Sequence, residues 1–318
     1  MQVPAPVPAP GTAPALHPDL ERAIARFREA RAQPPETFAH WPGVLERPTF
    51  FGIESLQRHL SNPLLQPTWL SLVFRGQHVP LEQACCYKIV QTKRLVFMDK
   101  RFLDGYLAQG ASVVLEGLDI LDPAINAFVG QLDLGFPLAF ANCVAFFSQA
   151  GNEAYRGHLD ADDVLVIHLS GEKRWRLFER QQTRRVNTND LTPEQMGPQI
   201  GELTLRPGDV LYVRNAVPHV CETLGDHSLH LSFDLCDRTP TVEYQLQMGI
   251  DRYAHATRPP YTSAPEVAET FAGLLRSPDF RAALAQRSDA LRGELRAFRE
   301  RIDAAGRVTA LSRFARRP

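Results

Sequence analysis

From Trp69 to Leu235 the chain is a succession of short runs rich in β-branched and aromatic residues. They read WLSLVF, ACCYKIV, RLVFMD, ASVVLE, LAFANCVAFF, DVLVIHL, KRWRLF, GELTL, DVLYV and HSLHLSFDL, with Gly, Pro, Asp or Asn between them. Runs of this length and composition predict strands. So many short strands with tight connections in one block predict a jelly-roll or barrel, because a βαβ sheet needs a long crossover between parallel strands. Ser170-Gly171-Glu172 and Arg206-Pro207-Gly208-Asp209 each predict a turn between two strands. One helix, around LDPAINAFVGQL, interrupts the block.

Helices flank this block. PDLERAIARFREAR repeats Leu20, Ile24 and Phe27 at helical spacing, and FGIESLQRHLS predicts a second short helix. Beyond residue 240 a capping-box pattern, Ser263 with Glu266, opens one helix. Leu284, Leu291, Leu295, Phe298 and Ile302 mark an amphipathic helix after it. That helix either packs on its own chain or pairs two chains as a homodimer; the pattern fits both. Residues 1–18 are Pro/Ala-rich and predict a disordered or polyproline-II arm. The expected organisation is an arm over 1–18, a β-rich domain over 19–240 and a helical region over 241–318.

The charge balance, 35 basic against 36 acidic residues, predicts no general attraction to nucleic acid or anionic membrane. The five cysteines, Cys85, Cys86, Cys143, Cys221 and Cys236, are odd in number and include no CxxC pair. They read as buried thiols of a reducing compartment. No basic start with an apolar core marks a signal peptide, and no stretch is apolar enough to span a membrane, so the expectation is a soluble, cytoplasmic protein.

One stretch carries chemistry. In HLDADDVLVIHLSGEKRW, His158 and Asp160 lie two apart on extended chain, so both side chains point to one side. A third ligand would complete two histidines and a carboxylate on one face of a metal. That arrangement leaves octahedral positions open, as a non-haem Fe(II) oxygenase requires. His168, His219, His227, His230 and His255 are the downstream candidates. His168 sits within an apolar strand and reads as structural. His227 falls in a Gly-Asp turn and reads as solvated, and His255 lies beyond the strands. His219 follows RPGDVLYVRNAVP, a turn, a strand and a loop closed by Pro218, from which it can reach a neighbouring strand.

GHLDADDVLVIHLSGEKRWRLF and RPGDVLYVRNAVPHVCETLGDHSLHLSFDL resemble the core of the JmjC-type cupin oxygenases, in particular their ribosomal-oxygenase-like branch. The resemblance covers about residues 135–240 well and 50–134 loosely. It implies a double-stranded β-helix, Fe(II), 2-oxoglutarate and dioxygen, and hydroxylation of a side chain in a protein or peptide. It matches His158, Asp160 and His219 to the iron ligands. It matches Lys173 to the cation that pairs with the distal carboxylate of 2-oxoglutarate. Lys173 also makes sense by itself, because a buried dianion needs a buried cation. Asn142 is expected near the cosubstrate, with Ser148 or Tyr155 as alternatives, and Ser232 is expected to touch the keto acid. Three other readings stay open: an oxygenase of small molecules, a metal-binding cupin with different chemistry, and a non-catalytic scaffold.

Overall fold

The computed structural model describes residues 16–46, 48–91, 93–132, 140–151, 156–182 and 187–236, with short pieces between Glu269 and Ala285. Helix α1 (Pro18–Ala32) buries Leu20, Ala23, Ile24, Phe27 and Ala30, the face its periodicity marked. It is followed by β1 (Phe38–Trp41), α2 (Ile53–Leu60), β2 (Leu70–Phe74), β3 (Gln77–His78), and the hairpin β4 (Cys85–Val90) with β5 (Lys93–Met98). Next come α3 (Lys100–Ala108), β6 (Ser112–Leu115), α4 (Leu118–Leu121) and α5 (Pro123–Val129). The Asp122 carboxylate starts α5 by accepting the backbone N–H groups of Ala124 and Ile125. The helix predicted from LDPAINAFVGQL is thus α5, and the short α4 ends at Leu121, where that stretch begins. The remaining elements are β7 (Phe140–Gln149), β8 (Asp163–Phe178), α6 (Pro193–Met196), β9 (Gln199–Leu205), β10 (Val210–Val213) and β11 (His219–Cys236). The sequence pattern did not mark β1, β3, α3 or α6. The first two are too short for an alternation to register, and Gly105 interrupts the helical pattern of α3.

The strand order is β1-β10-β8-β11-β7-β6-β2-β3, with β9 also on β8. Strands β8 and β11 run antiparallel from Leu177 opposite His219 to Asp163 opposite Leu235. The first half of β8 pairs with β10 and with the second half of β11; the second half pairs with β9 and the first half of β11. Two long strands thus serve two sheets, which is the double-stranded β-helix of the predicted jelly-roll class. Val164, Val166, Trp175, Leu177, Leu205, Leu211, Val213 and Val217 fill the space between the sheets.

The Arg206–Asp209 turn is present, between β9 and β10, with Gly208 at φ 97. The one at Ser170-Gly171-Glu172 is not: β8 continues through it, and Gly171 (φ 67) is a bend rather than a reversal. Opposite lies a bulge in β11 between Leu224 and Ser228. This bulge accounts for His227, expected to be solvated. It is half-buried, with Nε2 3.0 Å from Ser170 Oγ. His168 is structural as expected: it is fully buried, and its Nε2–H donates to the Gly171 carbonyl at 3.0 Å. A Cβ on Gly171 would lie 1.9 Å from the His227 carbonyl oxygen, in a backbone region side chains rarely adopt. Gly171→Ala is therefore expected to destabilise the fold by about 3 kcal/mol, read as a lowered urea midpoint.

The pieces between Glu269 and Ala285 belong to a second compact unit and, Ser277 apart, are helical where described. Ser263, Glu266, His255 and the series from Leu284 to Ile302 lie outside the described residues, as does the arm up to residue 15. Among the described residues no helix is long and apolar enough to cross a membrane.

Candidate metal centre

His158 and Asp160 stand on the extended segment before β8, with Leu159 between them buried and turned the other way. His219 opens β11. The two histidines face each other through a reciprocal backbone pair. His158 N–H donates to the His219 carbonyl at 3.0 Å, and His219 N–H to the His158 carbonyl at 2.8 Å. One ligand atom each from His158, Asp160 and His219 fall within 4.8 Å of one another. His219 Nε2 is 3.7 Å from Asp160 Oδ2, and the imidazole centroids are 4.2 Å apart.

Each imidazole is fixed by its own backbone. His158 Nδ1 lies 2.8 Å from the Arg156 carbonyl, and His219 Nδ1 3.0 Å from that of Val217. A carbonyl can only accept, so Nδ1 carries a proton in each ring and Nε2 is the nitrogen left for a metal. Burial and the neighbouring His158 push the His219 pKa down to about 4, which keeps that ring neutral. This donor set, two imidazoles and a carboxylate, fits a divalent first-row metal.

Asp163 locks the loop before His219. It accepts the Tyr212 hydroxyl at 2.6 Å, the Asn215 N–H at 2.8 Å and Arg214 Nε at 3.3 Å. Ala216, at φ 59, donates its N–H to the Asp160 carbonyl at 2.8 Å, tying that loop to the other ligand strand. The charge pattern of DADD gave no way to tell Asp163 from its neighbours. Asp163→Ala is expected to weaken metal binding about tenfold by loosening His219, measured by competition with a chelating dye.

The three residues line a cavity of about 250 Å³ together with Lys173, Trp175, Cys221, His230, Ser232, Asp234 and Glu116. Strand alternation explains the order. Lys173, Trp175 and Leu177 face inward on β8, opposite Thr223, Cys221 and His219 on β11. Lys173 is 3% exposed, and its Nζ donates to Ser148 Oγ at 3.1 Å. Ser148 is itself buried on β7. Of the expected cosubstrate neighbours, Ser232 lines the cavity. Asn142 is not among its described lining residues; its Nδ2 instead lies 3.7 Å from Cys236 Sγ. Tyr155 lies outside the described residues.

Two carboxylates went unassigned in the sequence. Burial, Asp160 and Glu116 push Asp234 up to about 8. Burial and Asp119 raise Glu116 above its ordinary value. Asp234 shares a face with His230 and Ser232 by alternation. Glu116 comes from the end of β6, with no local signal linking it to the motif.

Residues 134–243 match the JmjC domain family. A protein of Culex quinquefasciatus named bifunctional lysine-specific demethylase and histidyl-hydroxylase NO66 is 30% identical over 95 residues, which are 28% of this chain and 15% of that one. Ribosomal oxygenase 2 of Rattus norvegicus is 27% identical over 103 residues, 32% of this chain and 22% of its own. The chain thus spans less than a quarter of the length of these relatives. Among solved structures, the ribosomal oxygenase YcfD of Escherichia coli, in complex with cobalt and succinic acid, superposes with a TM-score of 0.51 at 15% identity. The match covers 82% of this chain and 70% of that one, and at this identity it bears on the fold. The region similar to the JmjC domain lies in the double-stranded β-helix, and His158, Asp160 and His219 meet inside it.

Proposed function

We propose that this chain is an Fe(II)- and 2-oxoglutarate-dependent oxygenase that uses dioxygen to hydroxylate an amino-acid side chain in a protein or peptide. One observation carries the reading: a grouped His158–Asp160–His219 set and a buried Lys173 line the same cavity. A metal-binding cupin without a dianionic cosubstrate has no use for a lysine inside its barrel, where an ammonium is costly to bury. The protein substrate rests on the names of the relatives, a histidyl-hydroxylase and ribosomal oxygenases.

In this reading His158, Asp160 and His219 are the residues that would hold the metal. The bound metal with its cosubstrate supplies the oxidising chemistry that no side chain here can supply. Lys173, four residues along the strand pair from His219, stands roughly 13 Å of strand away. It is the cation for the distal carboxylate of 2-oxoglutarate, and Ser148 orients it. Ser232 adds a hydroxyl to the same wall. Asn142, bonded toward Cys236, drops out of the set. Val144, Val164 and Val213 keep the remaining wall apolar and limit water.

The test is incubation of the protein with Fe(II), 2-oxoglutarate and candidate ribosomal-protein peptides in air. Succinate formed in step with one added oxygen on a peptide supports the reading. Succinate formed only with free amino acids or other small molecules moves the substrate to that class. A protein that binds neither metal nor 2-oxoglutarate is not this enzyme.

A further inference from the structure

The hairpin of β4 and β5 stands outside the sheet that carries the metal centre. Among the described residues the two strands pair only with each other. Residues 85–98 hold Lys88, Lys93 and Arg94 and no carboxylate, whereas the whole chain balances 35 basic with 36 acidic residues. The hairpin also turns apolar side chains to water. Tyr87 is 60% exposed, Ile89 67%, Val96 41% and Phe97 36%, and these are four of the eight large apolar side chains exposed among the described residues. Exposed apolar area gathered in one element, rather than scattered singly, marks a surface that a partner covers.

Charge and side-chain type select the partner. Three cations without a carboxylate call for an anionic surface. They disfavour a second copy of the hairpin, which would bring like charges together. Tyr87 stands opposite Val96, and Ile89 lies two residues along from Tyr87, so these three share one face. Ile89, the most exposed of the hairpin's side chains, is aliphatic, as is Val96. Neither stacks on a base, as a nucleic-acid surface requires. A face of aliphatic and aromatic side chains beside cations fits the boundary between lipid headgroups and acyl chains.

We infer that the hairpin docks on an anionic lipid surface, with Tyr87, Ile89 and Val96 entering the boundary and Lys88, Lys93 and Arg94 meeting acidic headgroups. The contact is shallow. Unpaired strand edges cannot enter hydrocarbon, and Gln91 and Thr92 make the tip polar, so the hairpin lies flat. The balanced net charge does not oppose this, because screening limits each charge to about 8 Å and the local cluster decides. The inference is independent of the metal centre and of the proposed reaction.

The test is cosedimentation of the full chain with vesicles of phosphatidylcholine alone and of phosphatidylcholine with one third phosphatidylserine. Binding is expected to the second and not to the first, and it should weaken as salt is raised. A cation near such a surface is worth about fivefold, so Lys88→Gln with Lys93→Gln should weaken binding about 25-fold. Tyr87→Ser with Ile89→Ser should weaken it about tenfold, by losing apolar contact. Melting curves check that each pair folds; should one not, single Lys88→Gln and Ile89→Ser variants carry the comparison. Absence of binding to the phosphatidylserine vesicles overturns the inference. So does equal binding in the folded variants, which places the contact elsewhere, or a loss confined to one of the two pairs, which leaves charge or apolar contact acting alone. Binding to an oligouridylate that depends on Lys88 and Lys93, with none to vesicles, makes the hairpin a nucleic-acid surface instead.

Discussion

Asp160→Ala should fold like the wild type yet bind divalent metal more than about 100-fold more weakly, since even losing a residue that only supports a ligand costs up to that much. Succinate formation should fall to background. The two effects separate because of where Asp160 sits. Its side chain is 28% exposed, so removing it opens no core cavity. It also stands among like charges, for Asp160 is one of the carboxylates that push Asp234 up to about 8. Without metal, the variant relieves that repulsion and should melt no lower than wild type. With metal, wild type should gain melting temperature and the variant should not, because stabilisation by mass action requires binding. Thermal melts with and without Mn(II) check both halves. A variant that keeps the metal-dependent gain would show that the carboxylate is not a ligand.

Lys173→Met is expected to weaken 2-oxoglutarate binding by about 10²–10³-fold, the effect of removing one partner of a buried ion pair. Methionine keeps most of the aliphatic stem, so the packing near Ser148 and Trp175 is largely retained and the ammonium alone is lost. Metal affinity should not change, because Lys173 lies four residues along the strands from His219. Calorimetry on Mn(II)-loaded protein gives the affinity, and turnover at raised 2-oxoglutarate should recover part of the rate. Unchanged turnover in this variant would instead favour a metal-dependent cupin that needs no cosubstrate.

The pairing of His158 with Asp160 was readable because extended chain alternates strictly, and Leu159 between them is buried as that rule demands. Lys173 was readable for the same reason: with Trp175 and Leu177 it forms an inward series. His219 could be chosen over four other histidines because a turn, a strand and a proline-closed loop deliver it to a strand start. Failures came where one residue changes the path of the chain. A Ser-Gly-Glu sequence has the composition of a turn, and only the fit of Gly171 against the His227 carbonyl shows it to be a bend. His227 was misread with it, since its half-burial depends on the bulge facing that bend. The Asn142 expectation failed because β7 brings Ser148 to Lys173 and leaves Asn142 at Cys236.

The sequence by itself determined which side chains share a face, because alternation along a strand is a local property of covalent geometry. It thereby set the metal-ligand candidates, the cation and the jelly-roll class. Tertiary structure alone decided which faces meet. Glu116 on β6, Ser148 on β7 and Asp163 at the start of β8 act on the site through pairings and loop contacts formed across many residues.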